Sequence, residues 1–269
     1  MTSLPFLPSE ILVHTTARIE CFLPNNSSIG TAFFFEDEDK RRFLITNRHV
    51  VEDATSATLA LTGAIATSIA PAIVAQIFLD FATTPWAFHP NESVDLAALS
   101  FSAIEVALIE SKQGAYNTFV SASDLPSPDE IADFQAVESV LMIGYPDGIW
   151  DEVNNQPVSR RGITATHPNR QYAGRSEFML DIGCFDGSSG SPVFIYDTIG
   201  AHKRGGGIGM KPRRPLFIGV LFEGFKTSET GSIVKMGKRA KSVPVTEIPL
   251  NLGLAVKSAE VLTLTRSIP

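Results

Sequence analysis

The sequence is poor in cysteine: Cys21 and Cys184 are the two among 269 residues. A secreted domain of this size often carries several disulfides, so this usage favours a reducing compartment, although one bridge between the pair stays open. The N-terminus also lacks a basic segment followed by an apolar one, so no signal peptide is predicted. These absences predict a cytoplasmic protein, or one delivered by a route that leaves no such signal.

Excess positive charge is also missing, since the net charge is −7. That balance predicts no nucleic-acid partner, although basic residues cluster at Arg160 and Arg161 and again over 203–214. No Cys/His cluster has the spacing of metal ligands, and the glycines near Gly205 do not follow a nucleotide-binding pattern. The acidic run Glu36–Asp39 is interpreted as a solvated hairpin tip. We therefore expect neither a metal nor an organic cofactor.

Charged residues are absent from 54–79, a stretch long enough to raise the question of a transmembrane helix. Yet it contains several Thr and Ser residues, a Gln, Gly63 and the central Pro71, which divide it into short apolar pieces. It therefore predicts two or three buried strands joined by turns, and no membrane span.

Short apolar runs are what the sequence has instead. Hydrophobic residues make up 44% of the chain and recur in groups of four to seven, broken by Gly, Pro, Asn and Asp. This rhythm is typical of many short strands. Strands are predicted at Ala17–Leu23, Thr31–Phe35, Phe43–Thr46, around Leu59 and Ile77, and at Leu96–Phe101, Ser139–Ile143, Gly162–Thr166, Phe178–Ile182, Pro192–Ile195, Phe217–Phe222 and Gly253–Val256.

A polar connection divides these strands into two β-rich halves, 1–115 and 136–269, joined by 116–135. Within it, the stretch beginning at Ser127 has the pattern of a capped helix start. The last residues, SAEVLTLTRSIP, predict a short terminal helix with Ser258 as its cap.

Three serines stand in CFDGSSGSPVF, which runs from Cys184 to Phe194. A serine becomes a nucleophile only beside a base that an acid orients. His49 follows an apolar strand in FLITNRHVVEDA, although a single histidine there, taken alone, is more simply interpreted as a surface residue. Asp95 enters the apolar run NESVDLAALSF; a buried aspartate needs a partner, but a turn cap is an equal alternative.

These segments occur in the order His, Asp, Ser as TNRHVV, DLAALSF and DGSSGSPVF. In that order they resemble the chymotrypsin-like serine proteases, especially the bacterial glutamyl-endopeptidase and high-temperature-requirement branches. MIGYPDG, RRGITAT and NLGLAV extend the resemblance over roughly residues 15–260. It implies an all-β fold of two six-stranded β-barrels, with the active site in the cleft between them and a short C-terminal helix.

The resemblance also implies site roles. Ser189 would be the nucleophile of a serine endopeptidase that forms an acyl-enzyme, with His49 as base and Asp95 as the orienting acid. The backbone amides of Gly187 and Ser189 would form the oxyanion hole. Gly187 and Gly190 would allow the sharp turn that this loop requires.

The same resemblance implies a pocket for the substrate side chain before the scissile bond. Its expected walls are Gly183, Cys184, Phe185, Asp186, Leu221, Phe222, Glu223 and Gly224. Gly183 stands where trypsin-type enzymes place an aspartate, which does not support a basic preference. Leu221 stands where glutamyl endopeptidases carry a histidine, which does not support an acidic one. The default expectation is a small or apolar side chain in a protein or peptide substrate.

Two alternatives remain. A latent or non-catalytic binding module of the same fold could act through a regulatory protein partner, because Ser188 and the absence of an Ile-Val-Gly-Gly start remove the digestive activation switch. The segment Asp197–Pro215 could be a flexible loop or the site of such regulation.

A serine esterase of the α/β-hydrolase class is disfavoured, because its triad follows the order Ser, Asp, His.

Overall fold

The computed structural model describes residues 8–64, 73–112, 114–197, 214–230 and 245–269. Within these ranges the strands form two sheets, the first from the N-terminal half of the chain and the second from the C-terminal half. The protein is therefore mostly β-sheet, as the rhythm of short apolar runs predicts.

The first sheet has eight described strands. They are β1 (Thr16–Phe22), β2 (Ser27–Glu36), β3 (Arg42–Thr46), β4 (Ser56–Ala64), β5 (Ile73–Asp80), β6 (Ala87–Phe88), β7 (Ala97–Ser100) and β8 (Val120–Ser121). Seven follow the order β5-β4-β1-β2-β3-β7-β6, and β8 pairs in parallel with β2. A second closed six-stranded barrel, which the resemblance implies here, is not shown by the pairing between the described residues. The last strand in this order, β6, has two residues and pairs with β7.

Strand β2 lies between two hydrophobic cores. Alternate residues of a strand point to opposite faces, so Ala32 and Phe34 pack into the core of the first sheet. Phe33 and Phe35 pack on the other side against Phe217 of the second half. This double burial explains the continuous apolar run and brings the residues at the start of β2 close to the second sheet.

The second sheet is the closed six-stranded barrel that was predicted. Its strands are β9 (Ser139–Gly144), β10 (Val158–Thr164), β11 (Glu177–Asp181), β12 (Pro192–Ile195), β13 (Leu216–Thr230) and β14 (Val245–Lys257), in the order β10-β11-β14-β13-β12-β9. Strands β13 and β14 are longer than predicted. They pair as far as Thr230 and Val245, and residues 231–244 lie outside the described ranges.

Five α-helices connect or cover the described strands: α1 (Pro8–Leu12), α2 (Arg48–Val51), α3 (Phe101–Glu110), α4 (Pro128–Ala132) and α5 (Ser258–Ser267). The predicted helix start at Ser127 is confirmed. The Ser127 side chain accepts a hydrogen bond from the Glu130 amide, and the Glu130 carboxylate accepts one from the Ser127 amide. The terminal helix is also confirmed, but its N-cap is Lys257 and Ser258 is its first residue.

Helix α3 was not predicted. The strand expected over Leu96–Phe101 ends at Ser100, and the chain then turns into the helix. Phe101, Ile104 and Leu108 are its buried residues and pack into the first core. Their spacing of three and four residues is the period of an amphipathic helix, a signal already present in the sequence.

The acidic turn joins β2 to β3 as expected, but it is not fully solvated. Asp37 is only 3% exposed. Its carboxylate accepts hydrogen bonds from the amides of Asp39 and Arg41 and from Nε of Arg41. Arg41 in turn donates to the carbonyls of Thr265 and Ile268. The turn therefore fixes the end of α5.

The charge-free stretch 54–79 contains β4 and β5, while residues 65–72 lie outside the described ranges. In the part of the chain that the structure covers, every helix is too short or too polar to span a bilayer. Of the segment 197–215, all but its first residue and last two lie outside the described residues. Cys21 and Cys184 are both buried and unpaired.

Candidate active site

The edge of the first sheet brings His49 and Asp95 together. Strand β3 ends at Thr46, which pairs with Ala97, so the residues after β3 lie beside those before β7. Asn47 begins α2 and donates from Nδ2 to the Asp95 carbonyl over 2.7 Å. His49 lies in the first turn of that helix, and its amide donates to Oδ1 of Asp95 over 3.0 Å.

The His49 imidazole also contacts this carboxylate, with Nδ1 lying 2.5 Å from Oδ2 of Asp95. An ionised carboxylate only accepts hydrogen bonds, so Nδ1 is the donor in this contact, and in a neutral imidazole of that tautomer Nε2 carries the lone pair. The histidine side chain is 46% exposed and the aspartate 22% exposed. The pair is therefore partly exposed to solvent, with the histidine more accessible than the aspartate.

The serine loop makes a sharp turn at its glycines. Gly187 and Gly190 have φ of 80° and 88°, a region that L-residues with side chains rarely adopt. Gly190 is also crowded, because a Cβ there would collide with the carbonyl oxygen of Thr31. The loop is fixed to β13 by the Gly190 amide, which donates to the Leu221 carbonyl over 2.8 Å.

Thr31 of β2 joins the serine loop to both halves of the molecule. Its hydroxyl donates to the Gly187 carbonyl and accepts from the amide of Tyr145, each over 3.0 Å. Its own amide donates to the Ser189 carbonyl over 2.9 Å. Thr31 is fully buried. Sequence reasoning missed this residue, for which a threonine inside the apolar run IGTAFFF was the available signal.

The orientation of the Gly187 amide follows from the preceding peptide. The Asp186 carbonyl accepts from the Asp147 amide over 2.5 Å. Because a trans peptide is planar, the N–H of Gly187 points the opposite way, away from Asp147. Within the part of the chain described here, the amides of Gly187 and Ser189 donate no hydrogen bond. Both donors are therefore available to a substrate oxygen.

The Ser189 hydroxyl does not contact His49 in this structure. It donates to the Phe222 carbonyl over 3.4 Å, and no Ser189–His49 hydrogen bond forms between the described residues. The structure therefore brings the histidine and the acid into direct contact, while the serine hydroxyl is hydrogen-bonded to a backbone carbonyl of β13.

The eight residues expected to form the substrate pocket lie in two adjacent chain segments. Gly224 lies directly beside Cys184, since a Cβ on Gly224 would be 3.0 Å from that of Cys184. Cys184 and Leu221 are buried in the barrel core, whereas Glu223 is exposed. Asp186 forms an ion pair with Lys226 over 2.9 Å.

Burial raises the pKa of the Cys184 thiol to about 11, although nearby Arg160 opposes the shift. The thiol therefore stays protonated at neutral pH and is not a competing nucleophile. Across the described ranges, no three His, Cys, Asp or Glu side chains are grouped so that they could hold a metal ion.

Known proteins were compared with the chain. The family described as "Trypsin-like peptidase domain" matches residues 30–198. No curated protein sequence matches the chain. Among solved structures, the serine endoprotease from Yersinia pestis is similar with a TM-score of 0.53 and 13% identity, over 98% of this chain and 67% of that one. The HtrA-type protease AlgW with tripeptide is similar with a TM-score of 0.52 and 16% identity, over 95% of this chain and 60% of that one.

The fold and the family match define the class of the protein as serine protease. The chain belongs to the trypsin-like peptidase family, because the match covers more than half of its residues. It spans about two thirds or less of the length of the two similar structures. Because the sequence identities with these two structures are 13% and 16%, the structural similarity shows the fold alone.

Proposed function

We propose that this protein is an endopeptidase that hydrolyses peptide bonds through an acyl-enzyme on Ser189. The observation that carries the proposal is the contact of His49 with Asp95, which holds Nδ1 protonated and leaves Nε2 as a base. The roles of all three residues were predicted from the family resemblance, and they remain part of this proposal.

In the proposed reaction, His49 Nε2 accepts the proton of the Ser189 hydroxyl while Oγ attacks the substrate carbonyl carbon. The protonated imidazole then donates that proton to the leaving amine, and the peptide C–N bond breaks. Water next attacks the acyl-enzyme by the same route and restores the serine. Asp95 stabilises the charged imidazole in both steps.

The negative charge on the substrate oxygen would be stabilised by the amides of Gly187 and Ser189. Their availability and the fixed Asp186–Gly187 peptide support this role. Such donors act because they are oriented before the reaction begins, and losing one typically costs roughly 10²–10³ in rate.

The position of Ser189 favours a second candidate, a protease that stays latent until a partner or a substrate completes its site. Its hydroxyl is hydrogen-bonded to the Phe222 carbonyl and must rotate toward His49 before proton transfer. A regulatory protein partner and use as a binding module belong to this candidate.

Labelling with an alkyl fluorophosphonate tests both candidates. We expect the wild type to be labelled and Ser189→Ala and His49→Ala to lose labelling. Ser188→Ala is the matched control, because it removes the neighbouring hydroxyl and should leave labelling intact. A folded wild type that stays unlabelled would contradict the active enzyme and support the latent form.

A cytoplasmic location with a processing or effector role is part of the same proposal. Both thiols are buried and unpaired, which agrees with a reducing compartment. Cell fractionation with an antibody against the native chain would test it, and recovery from the culture medium would contradict it.

A further inference from the structure

A guanidinium group lies beside Gly183 and Phe185, at the start of the serine loop. Arg160 of β10 is partly buried, and its Nη1 donates to the Gly183 carbonyl over 3.3 Å. The group lies over the Phe185 ring, with Cζ 4.6 Å from the ring centre. A Cβ on Gly183 would collide with Nη1. The arginine therefore fills the space that a side chain at Gly183 would occupy.

This position is connected to the nucleophile by short steps. Gly183 and Cys184 begin the loop that ends at Ser189, and Cys184 lies against Gly224 of β13. The same strand includes Phe222, whose carbonyl accepts from the Ser189 hydroxyl. The guanidinium thus lies beside the start of the loop that carries the proposed nucleophile, at a residue expected to line the substrate pocket.

Arg160 has no anionic partner among the described residues. None of their carboxylates lies within ion-pair distance of it, and its buried Nε makes no hydrogen bond there. Asp186, an acid of the same loop, is bound by Lys226 over 2.9 and 3.0 Å. A partly buried charge without a counter-charge is costly, so this one favours an anionic ligand.

We propose that Arg160 determines substrate specificity by binding the carboxylate of an Asp or Glu side chain that precedes the scissile bond. The inference rests on the proposed function, because it assigns the substrate class of the same site. A guanidinium binds a carboxylate through two parallel hydrogen bonds, and stacking on Phe185 fixes its plane. The expectation of a small or apolar substrate side chain was drawn from Gly183 and Leu221 and did not take Arg160 of β10 into account.

Peptidyl diphenyl phosphonates that differ only in the residue bonded to phosphorus test the assignment. The glutamate analogue should label wild-type Ser189 roughly 10- to 100-fold faster than its glutamine isostere, the size of one charge-assisted hydrogen bond. In Arg160→Met this ratio should fall to about one, and Arg160→Lys should keep part of it. Equal wild-type rates, or a preference that survives in Arg160→Met, would overturn the assignment.

Arg161→Met is the matched control, because it removes the same charge from the neighbouring residue. Arg161 is exposed and donates to the Tyr196 carbonyl over 3.4 Å, so its loss should leave the ratio unchanged. An alkyl fluorophosphonate carries no amino-acid side chain and reports the nucleophile alone. If the fluorophosphonate labels Ser189 but the glutamate analogue reacts no faster than the glutamine analogue, the proposed acidic specificity is wrong and the proposed protease activity is supported. If neither reagent labels the folded protein, the active endopeptidase of the proposed function fails, and the specificity that rests on it fails with it.

Discussion

The amide of Thr31 donates a hydrogen bond to the carbonyl of Ser189 over 2.9 Å. The two residues are 158 positions apart in sequence. Thr31 belongs to β2 of the first sheet, whereas Ser189 lies in the loop before β12 of the second sheet. The Thr31 side chain continues the connection to Gly187 and Tyr145. The serine loop of the C-terminal barrel is therefore positioned by a strand of the N-terminal sheet.

Thr31→Val is expected to weaken the fold and slow labelling of Ser189. Valine has nearly the same shape but leaves the buried Tyr145 amide and Gly187 carbonyl without a partner, at a cost of about 1–3 kcal/mol in the free energy of unfolding. Urea denaturation measures the loss. Thr31→Ser keeps the hydroxyl and should lose much less; an equal loss in both variants would show that the methyl group matters instead.

Asp95→Asn should reduce the rate of fluorophosphonate labelling by roughly 10⁴-fold with little change in stability, because the amide no longer selects the productive imidazole tautomer. Glu92→Gln is the matched control, since Glu92 is exposed three residues earlier. Labelling of Asp95→Asn at the wild-type rate would remove Asp95 from the mechanism.

Two glycines with similar φ angles should respond differently to alanine. Gly174 and Gly190 have φ of 77° and 88°, so each substitution brings about 1–2 kcal/mol of backbone strain. A Cβ on Gly174 meets nothing within 4 Å, whereas one on Gly190 lies 2.7 Å from Oγ1 of Thr46 and collides with the Thr31 carbonyl. Gly190→Ala should therefore lose at least ~1–3 kcal/mol more. Thermal unfolding of both variants compares them, and equal losses would contradict the crowding.

Both cysteines should be unreactive in the native protein. Burial raises the pKa of Cys21 to about 12 and that of Cys184 to about 11, so neither thiolate forms at pH 8. Ellman's reagent should detect no thiol in the folded chain and two after denaturation. Rapid reaction of one thiol in the native protein would contradict this burial. Loss of that reaction in Cys184→Ser would assign it to Cys184, and its persistence would assign it to Cys21.

The raised pKa values of the two cysteines also predict how the free energy of unfolding changes with pH. An unfolded thiol ionises near pH 8.5, so each buried thiol stabilises the fold below that pH. The contribution is lost as the pH rises toward the folded values. The free energy of unfolding should therefore fall between about pH 9 and 11, and Cys21→Ser with Cys184→Ala should flatten the decline. An unchanged slope in that double variant would attribute the decline to other groups.

Much of the barrel could be predicted because its strands have local signals. Pro192–Ile195 matches the sequence prediction, and the capped helix after Ser127 follows from a serine with a glutamate three residues later. Helix α3 was missed because its apolar spacing follows directly on a strand. Whether the first sheet closes could not be predicted from local signals, because closure depends on pairing between distant strand ends.

The sequence alone determined the family and the candidate roles of His49, Asp95 and Ser189, because residue type and order carry that information. Only the tertiary structure showed that Thr31 holds the serine loop, that Ser189 donates to the Phe222 carbonyl, and that Arg160 reaches Gly183. These contacts join segments far apart in the chain. Hydrogen bonds and charge pairs act over a few ångströms of space, a distance that the order of residues does not record.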